Sequence, residues 1–247
     1  MLPYIYIILP SYTVMAFVGG FFALIYVFFR LEKYQVSFTN FLVMFLLCVI
    51  SGIVGSKILF AFTQIEWLFR HFSVKNLLVF IPQSGYVFYG GLFGVLLAIY
   101  LYTKKDKEYR KSVFQMIAPA IPLFHSFGRV GCFLAGCCYG KELSNPVTLM
   151  GVHFYNIPIQ LIESGVELII FIVLVILDRK NKEYDLLKIY LILYAIVRFL
   201  DEFLRGDIIR GIYFGLSTAQ WISFAILCYY IYKACKEKLQ VKNEERV

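Results

Sequence analysis

Long uncharged runs alternate with short charged clusters along this chain. Seven apolar runs lie at roughly 12–30, 40–64, 84–103, 113–136, 158–177, 186–204 and 212–232. A helix needs about 20 apolar residues to cross a bilayer, and each run meets that length. The third and seventh hold no charge; the fourth holds Arg129, the fifth Glu163 and Glu167, and the sixth Arg198, Asp201 and Glu202. The pattern predicts an all-α polytopic membrane protein with seven transmembrane helices. No repeat and no second domain is visible: residues 1–232 read as one seven-span membrane domain and 233–247 as a basic tail.

Loop charges give an orientation, because Lys and Arg gather on the cytoplasmic side. Alternate loops and the C-terminus hold sixteen Lys and Arg residues, including Lys104, Lys105, Lys107, Arg110 and Lys111; the other loops hold five. This places the C-terminus in the cytoplasm and, with seven spans, the N-terminus outside. No Lys or Arg precedes Arg30, so the basic region of a secretory signal peptide is missing. The first run is expected to remain as the first span of the mature protein. The tail from Lys233 onward reads as an anchor near anionic headgroups.

Composition agrees and excludes other classes. Of the 247 residues 60% are hydrophobic, 16% charged and 19% aromatic, with mean hydropathy +0.74. An ordinary soluble domain has about 45–50% apolar and about 25% charged residues, and a disordered chain is poor in aromatics. The formal charge of +8 does not point to nucleic acid, because the basic residues are divided among short loops.

A charge inside a span needs a partner or a purpose, since it costs about 2.5–3.5 kcal/mol on insertion scales. Arg129 lies in His125-Ser-Phe-Gly128-Arg129-Val-Gly131-Cys132, which continues to Gly136-Cys137-Cys138-Tyr139-Gly140. His125 and Arg129 share one helical face. Tyr194, Arg198, Glu202 and Arg205 fall on one face of the sixth run, where Arg198 can pair with Glu202 and Arg205 with Asp201 or Glu202. Arginines from two helices would make a phosphate pocket, because the guanidinium fork binds oxygens in pairs. The plainer alternatives are a packed helix whose Arg129 neutralises a buried acid, and a self-neutralised ladder in the sixth span. A third segment, Ser84-Gly85-Tyr86-Val-Phe-Tyr89-Gly90-Gly91-Leu-Phe-Gly94, carries a small-xxx-small pair. Gly52, Gly55 and Ser56 do similar work just before Lys57.

Six cysteines do not make a disulfide framework by count alone. Cys48, Cys228 and Cys235 are expected to pack against the membrane. Cys132, Cys137 and Cys138 cluster, but Cys-x4-Cys-Cys matches no structural zinc spacing. They are expected to shape a pocket, with no bound metal and no cofactor. A redox thiol pair, a lipid-carrying thiol and a transporter with a polar path are competing readings. Charges gathered towards one end of the bundle favour lipid-headgroup chemistry over transport.

These segments, in this order, resemble the phosphatidylglycerol–prolipoprotein diacylglyceryl transferases of bacteria. Gly128-Arg129-Val-Gly131-Cys132-Phe-Leu-Ala-Gly136-Cys137-Cys138-Tyr-Gly140 is similar to that family's Gly-Arg-x-Gly-Asn-Phe-x-Asn-x-Glu-x-x-Gly. Pro158-Ile-Gln160-Leu161-Ile-Glu163 is similar to Pro-x-Gln-Leu-Tyr-Glu, and Tyr194…Arg198…Glu202…Arg205 to a late Tyr-x-x-x-Arg-x-x-x-Glu-x-x-Arg. Gly215-Leu-Ser-Thr-Ala-Gln220 resembles the closing Gly-x-x-x-x-Gln, and Gly55-Ser-Lys57 stands where the family has Gly-Ala-Arg. Cys132 and Ala135 replace the signature asparagines, Cys137 replaces the glutamate, and Tyr89 and Ile157 replace two histidines, as in a divergent branch.

The resemblance implies transfer of a diacylglyceryl group from phosphatidylglycerol, or a related anionic phospholipid, to a lipoprotein precursor's cysteine thiol. A non-lipoprotein acceptor, or a lipid-binding or redox protein without transferase activity, is the alternative. Arg129 and Arg198 are expected to hold the phosphate, with Arg205 at its entry and Tyr89 and Tyr194 donating to the leaving group. Glu202 would orient Arg198 or accept a proton. Gln160, Lys57, Cys132 and Cys137 are expected to contact substrate, and His125 is a stand-in base.

Overall fold

The computed structural model describes residues 4–5, 9–70, 73, 85–149, 152–180, 184–206 and 212–244. Ser84 and, among the basic residues of the loops and tail, Lys75, Lys182, Arg210 and Arg246 lie outside the described residues. Nine helices run among those residues: α1 Ser11–Phe28, α2 Phe38–Thr63, α3 Ile65–Arg70, α4 Phe88–Tyr102, α5 Lys107–Ile117, α6 Ala120–Ala135, α7 Ile159–Arg179, α8 Leu186–Asp201 and α9 Thr218–Glu244. The chain divides into two compact units, one of Met1–Tyr26, Ile117–Ile209 and Phe214–Val247, the other of Val27–Met116 and Arg210–Tyr213.

The first unit carries α6 packed on α7, α7 on α8, and α8 on α9. Helix α7 buries Ile159, Gln160, Glu163, Ser164, Glu167, Ile170, Leu174 and Asp178, a stripe of helical spacing. Its other side leaves Ile169 61% exposed and Ile172 52% exposed. In the second unit, α2 packs on α4. Of the 26 residues of α2 only Met44 and Ser56 are buried. Apolar surface on this scale marks contact with lipid. Ser11–Phe28, Phe38–Thr63, the stretch Lys107–Ala135 and Ile159–Arg179 are long and apolar enough to cross a membrane, and Phe88–Tyr102 is a shorter apolar helix. The chain is a multi-pass membrane protein.

Close approach explains the second unit. A Cβ on Gly55 would strike the Gly90 carbonyl, one on Gly90 the Gly55 carbonyl, and one on Gly94 the Ser51 carbonyl. Only small residues let two helix backbones meet this way. Asn40 then ties three helices together: its Nδ2 donates to the Tyr109 hydroxyl at 3.0 Å, and the Tyr102 hydroxyl donates to its Oδ1 at 2.9 Å.

Several spans differ from the sequence expectation. The run 113–136 is interrupted between α5 and α6, where Pro119 precedes α6 and Pro122 sits in its first turn; proline is accepted in a first turn but breaks a helix interior. Helix α8 stops at Asp201 rather than near 204, because the backbone beyond it pairs elsewhere. The Lys141 N–H donates to the Leu204 carbonyl at 2.8 Å and the Gly206 N–H to the Tyr139 carbonyl at 3.0 Å. Residues 212–217, expected at the start of the seventh span, hold the short strands β5 Ile212–Tyr213 and β6 Leu216–Ser217. Helix α9 begins only at Thr218 and runs on through the basic segment to Glu244.

The expected all-helical fold also carries strands. Besides the short pair β1 Tyr4–Ile5 and β2 Leu9–Pro10, a hairpin joins α6 to α7: β3 Glu142–Leu149 and β4 Val152–Asn156 are antiparallel, with Thr148 opposite His153. Its register shifts between Glu142 and Val147, around Pro146, which cannot donate to a ladder.

Candidate functional site

Three segments of the first unit meet at one junction. The Gly140 N–H donates to the Ile157 carbonyl at 3.0 Å, and the Ile157 N–H to the Lys141 carbonyl at 2.9 Å. Gly140 also bridges Arg205. A Cβ on Gly140 would strike Ile157, and one on Gly206 the Gly140 carbonyl, so the crossing needs glycine at both places. The junction ties the ends of α6 and α8 to the start of α7 and fixes the height at which their charged side chains meet. Gln160 strengthens it, its Nε2 donating to the Cys137 carbonyl at 2.7 Å.

Above the junction, α6 and α7 face each other through a polar ladder that descends one helix as it climbs the other. Arg129 pairs with Glu163. The Ser126 Oγ donates to the Ser164 carbonyl at 3.0 Å. The His125 Nδ1 lies 3.0 Å from Glu167 Oε1. Helix α8 adds Arg198, whose Nη1 is 2.9 Å from Glu163 Oε1 and whose Nη2 is 2.7 Å from Glu202 Oε2. Glu163 therefore binds guanidinium groups from two helices, and Arg129, Glu163, Glu202 and Arg205 are all buried. Arg129 Nε and Glu167 Oε2 are buried without a hydrogen-bond partner among the described residues. A buried donor left unmet costs about 1–3 kcal/mol, more when charged, so Arg129 retains an unused donor beside its carboxylate.

Tyr194 is buried, stacked on Tyr190 at 5.7 Å between ring centroids and set edge-on to His125 at 5.5 Å. The expected Arg198–Glu202 pair is present. The plainer reading of Arg129 holds in part, for Arg129 does face a buried acid. Arg205 lies past the end of α8 and not on its face, held by its backbone to Gly140. The second unit carries Tyr89, buried and stacked on Phe93 at 5.8 Å, and Lys57, whose Nζ sits 4.6 Å from the centre of the Tyr86 ring.

Glu163 stands at the centre of this network, with Glu167 one turn on, and neither was among the expected site residues. The signal was present, in two acids one helical turn apart within an apolar run.

The cysteines form a cluster of their own. Helix α6 ends at Gly136 with φ 73°. The Gly136 N–H donates to the Phe133 carbonyl and the Cys137 N–H to the Cys132 carbonyl, both at 3.1 Å, the paired bonds that close a helix on a left-handed residue. Cys138 follows with φ 57°. These two reversals fold the chain back, and the sulfurs of Cys132, Cys137 and Cys138 lie within 4.8 Å of one another. Arg129 Nη1 is 3.8 Å from Cys132 Sγ, so the thiols adjoin the arginine network.

Comparison with known proteins decides the family. The model of the prolipoprotein diacylglyceryl transferase family matches residues 4–234. The chain belongs to that family. It is 34% identical over 185 residues to the phosphatidylglycerol–prolipoprotein diacylglyceryl transferase of Clostridium tetani, covering 71% of this chain and 72% of that protein. It is 36% identical over 201 residues to transferase 2 of Clostridium perfringens, covering 74% and 73%. To the transferase of Idiomarina loihiensis it is 31% identical over 185 residues, covering 70% of each. Within this prolipoprotein diacylglyceryl transferase fold, the stretch from Gly128 to Gly140 supplies both Arg129 and the three clustered thiols.

Proposed function

We propose that this protein transfers the diacylglyceryl group of phosphatidylglycerol to the cysteine thiol of a lipoprotein precursor. The sulfur attacks the glycerol carbon that bears the phosphate ester, and glycerol phosphate departs. The observation that carries this reading is the convergence of Arg129 and Arg198 on Glu163, with Arg129 Nε buried and unmet. Two guanidinium groups at one depth suit a lipid phosphate, and they are placed before the charge on the leaving group develops. Glu163 holds both groups in position and Glu202 holds Arg198. Arg205 stands by the junction where a headgroup enters. Gln160 and the cysteines shape the floor around it. For Tyr89 and Lys57, the motif positions are the support. The test is purified protein in detergent with labelled phosphatidylglycerol and a peptide bearing a lipoprotein cysteine: label should move to the thiol, and no transfer would refute the reading.

The sixteen-to-five bias of loop Lys and Arg supports seven spans in the bacterial inner membrane, with the N-terminus outside and the basic tail, residues 233–247, in the cytoplasm. Reporter fusions after residues 107 and 182 should both read cytoplasmic. An external reading at either would invert the bundle.

A further inference from the structure

We propose that Cys132, Cys137 and Cys138 form a three-thiolate site for a zinc ion, and that the open fourth position of the ion takes the acceptor's thiol. The role given to the fourth position rests on the transferase reading above; the metal site itself does not.

Linear spacing argues against a zinc site, yet the fold reverses that argument. The left-handed turns at Gly136 and Cys138 bring back to Cys132 two thiols that a continuing helix would carry away. A left-handed φ at a non-glycine residue is uncommon and costs free energy, and it clusters at functional positions. The sulfurs already lie within 4.8 Å of one another. Zinc bound tetrahedrally at about 2.3 Å from each sulfur sets them about 3.8 Å apart. Closing that difference takes about an ångström. A disulfide would use two of the three thiols and leave the third without a purpose. Adjacent Cys137 and Cys138 are also poorly placed to bridge each other.

Charge supports the same conclusion. Three thiolates with one divalent zinc carry a net charge of −1, and Arg129 Nη1, 3.8 Å from Cys132 Sγ, is placed to donate to that sulfur. Cys132 is buried while Cys137 is exposed, so the site is anchored on one side and open on the other. Zinc with three protein ligands keeps one position open for substrate. A thiol coordinated there loses its proton outright. The step balances. The acceptor thiol binds zinc and gives its proton to water. The sulfur's electron pair forms the new bond to the glycerol carbon. The carbon–oxygen bond to phosphate breaks, and glycerol phosphate leaves with that electron pair. The thioether formed binds zinc weakly and departs.

The full-length protein, purified in detergent without chelators, should hold about one zinc per chain by elemental analysis. Cobalt substitution should give the intense visible bands and sulfur charge-transfer absorption of tetrahedral thiolate ligation. Cys132→Ser, Cys137→Ser and Cys138→Ser should each lower zinc content while the protein stays monodisperse. Metal-free wild type in which Cys132, Cys137 and Cys138 all titrate as free thiols, or in which two of them are found in a disulfide by mass spectrometry, would overturn the proposal. So would full zinc content in all three variants. Activity is a separate arm: stripping zinc and restoring it should abolish and recover transfer from labelled phosphatidylglycerol. Zinc bound by the three cysteines without any transfer would keep the site and reject the transferase reading. Equal transfer by stripped and loaded protein would reject the role of the fourth position alone.

Discussion

The two units of the chain fill their interiors in opposite ways. The second joins α2 to α4 through Gly55, Gly90 and Gly94, with backbone set against backbone. The first joins α6, α7 and α8 through Arg129, Glu163, Arg198, Glu202 and the pair His125–Glu167. Small residues let helices associate in lipid by contact alone. Buried charges are a costly way to join helices: a hydrophobic replacement for a buried ion pair is often neutral or stabilising. The excess of charge where contact would suffice is the reason we propose the first unit as the place of chemistry.

The largest expected effect tests this directly. Arg129→Lys and Arg198→Lys should each lower turnover by on the order of 100-fold or more, the scale seen when one preorganised donor to a developing charge is removed. Lysine keeps the charge and loses the paired donors. Thermal stability in detergent should change little. If both variants fail to fold, the network is a brace between helices and the contrast between the units disappears.

The next effect lies on the other side of the comparison. Gly90→Val should destabilise the second unit by about 1–3 kcal/mol, the usual range for overpacking, because its Cβ has no room beside Gly55. Gly165→Val on α7, where nothing lies within 4 Å of the new Cβ, should leave the melting temperature nearly unchanged. Equal melting of both variants would show that the glycine contacts do not hold α2 and α4 together.

Much of this contrast was legible in the sequence. Gly55, Gly90 and Gly94 stood out by spacing, and Arg129 and Arg198 as charges in apolar runs. The role of Glu163 was not legible, because the pairing of an acid on α7 depends on how α6 and α8 are set beside it. The cysteine cluster was hidden for a related reason. A Cys-x4-Cys-Cys spacing is judged along a line, while the reversals at Gly136 and Cys138 depend on the junction with residues 156–158 and 204–206. The ends of α8 and the start of α9 were misjudged because hydropathy does not register backbone pairing such as Lys141 with Leu204.

Donor choice should show a smaller effect. Phosphatidylglycerol should compete in nanodiscs on the order of tenfold better than phosphatidylethanolamine. A phosphate about 4 Å from an arginine gains roughly 4 kcal/mol at an effective dielectric near 20. An ammonium carried on the same headgroup opposes part of that gain. Equal binding of the two lipids would mean that the arginines of the first unit serve its packing and do not select the donor.

The smallest effect is expected at His125. Its Nδ1 lies 3.0 Å from Glu167 Oε1 on α7, and its ring makes an edge contact with Tyr194 on α8. A general base contributes about 100-fold to 10,000-fold and leaves its titration in the pH–rate profile. His125→Asn retains a side-chain amide that can donate to Glu167. If the ring only holds α6 to α7, turnover should fall less than about tenfold and the acidic limb of the profile should keep its midpoint; a lost buried hydrogen bond of roughly 1 kcal/mol is worth less than a factor of ten. A fall of more than 100-fold together with loss of that limb would make His125 the base for the acceptor thiol. The ladder between α6 and α7 would then be part of the reaction rather than its support, and the three cysteines would not be needed to activate sulfur.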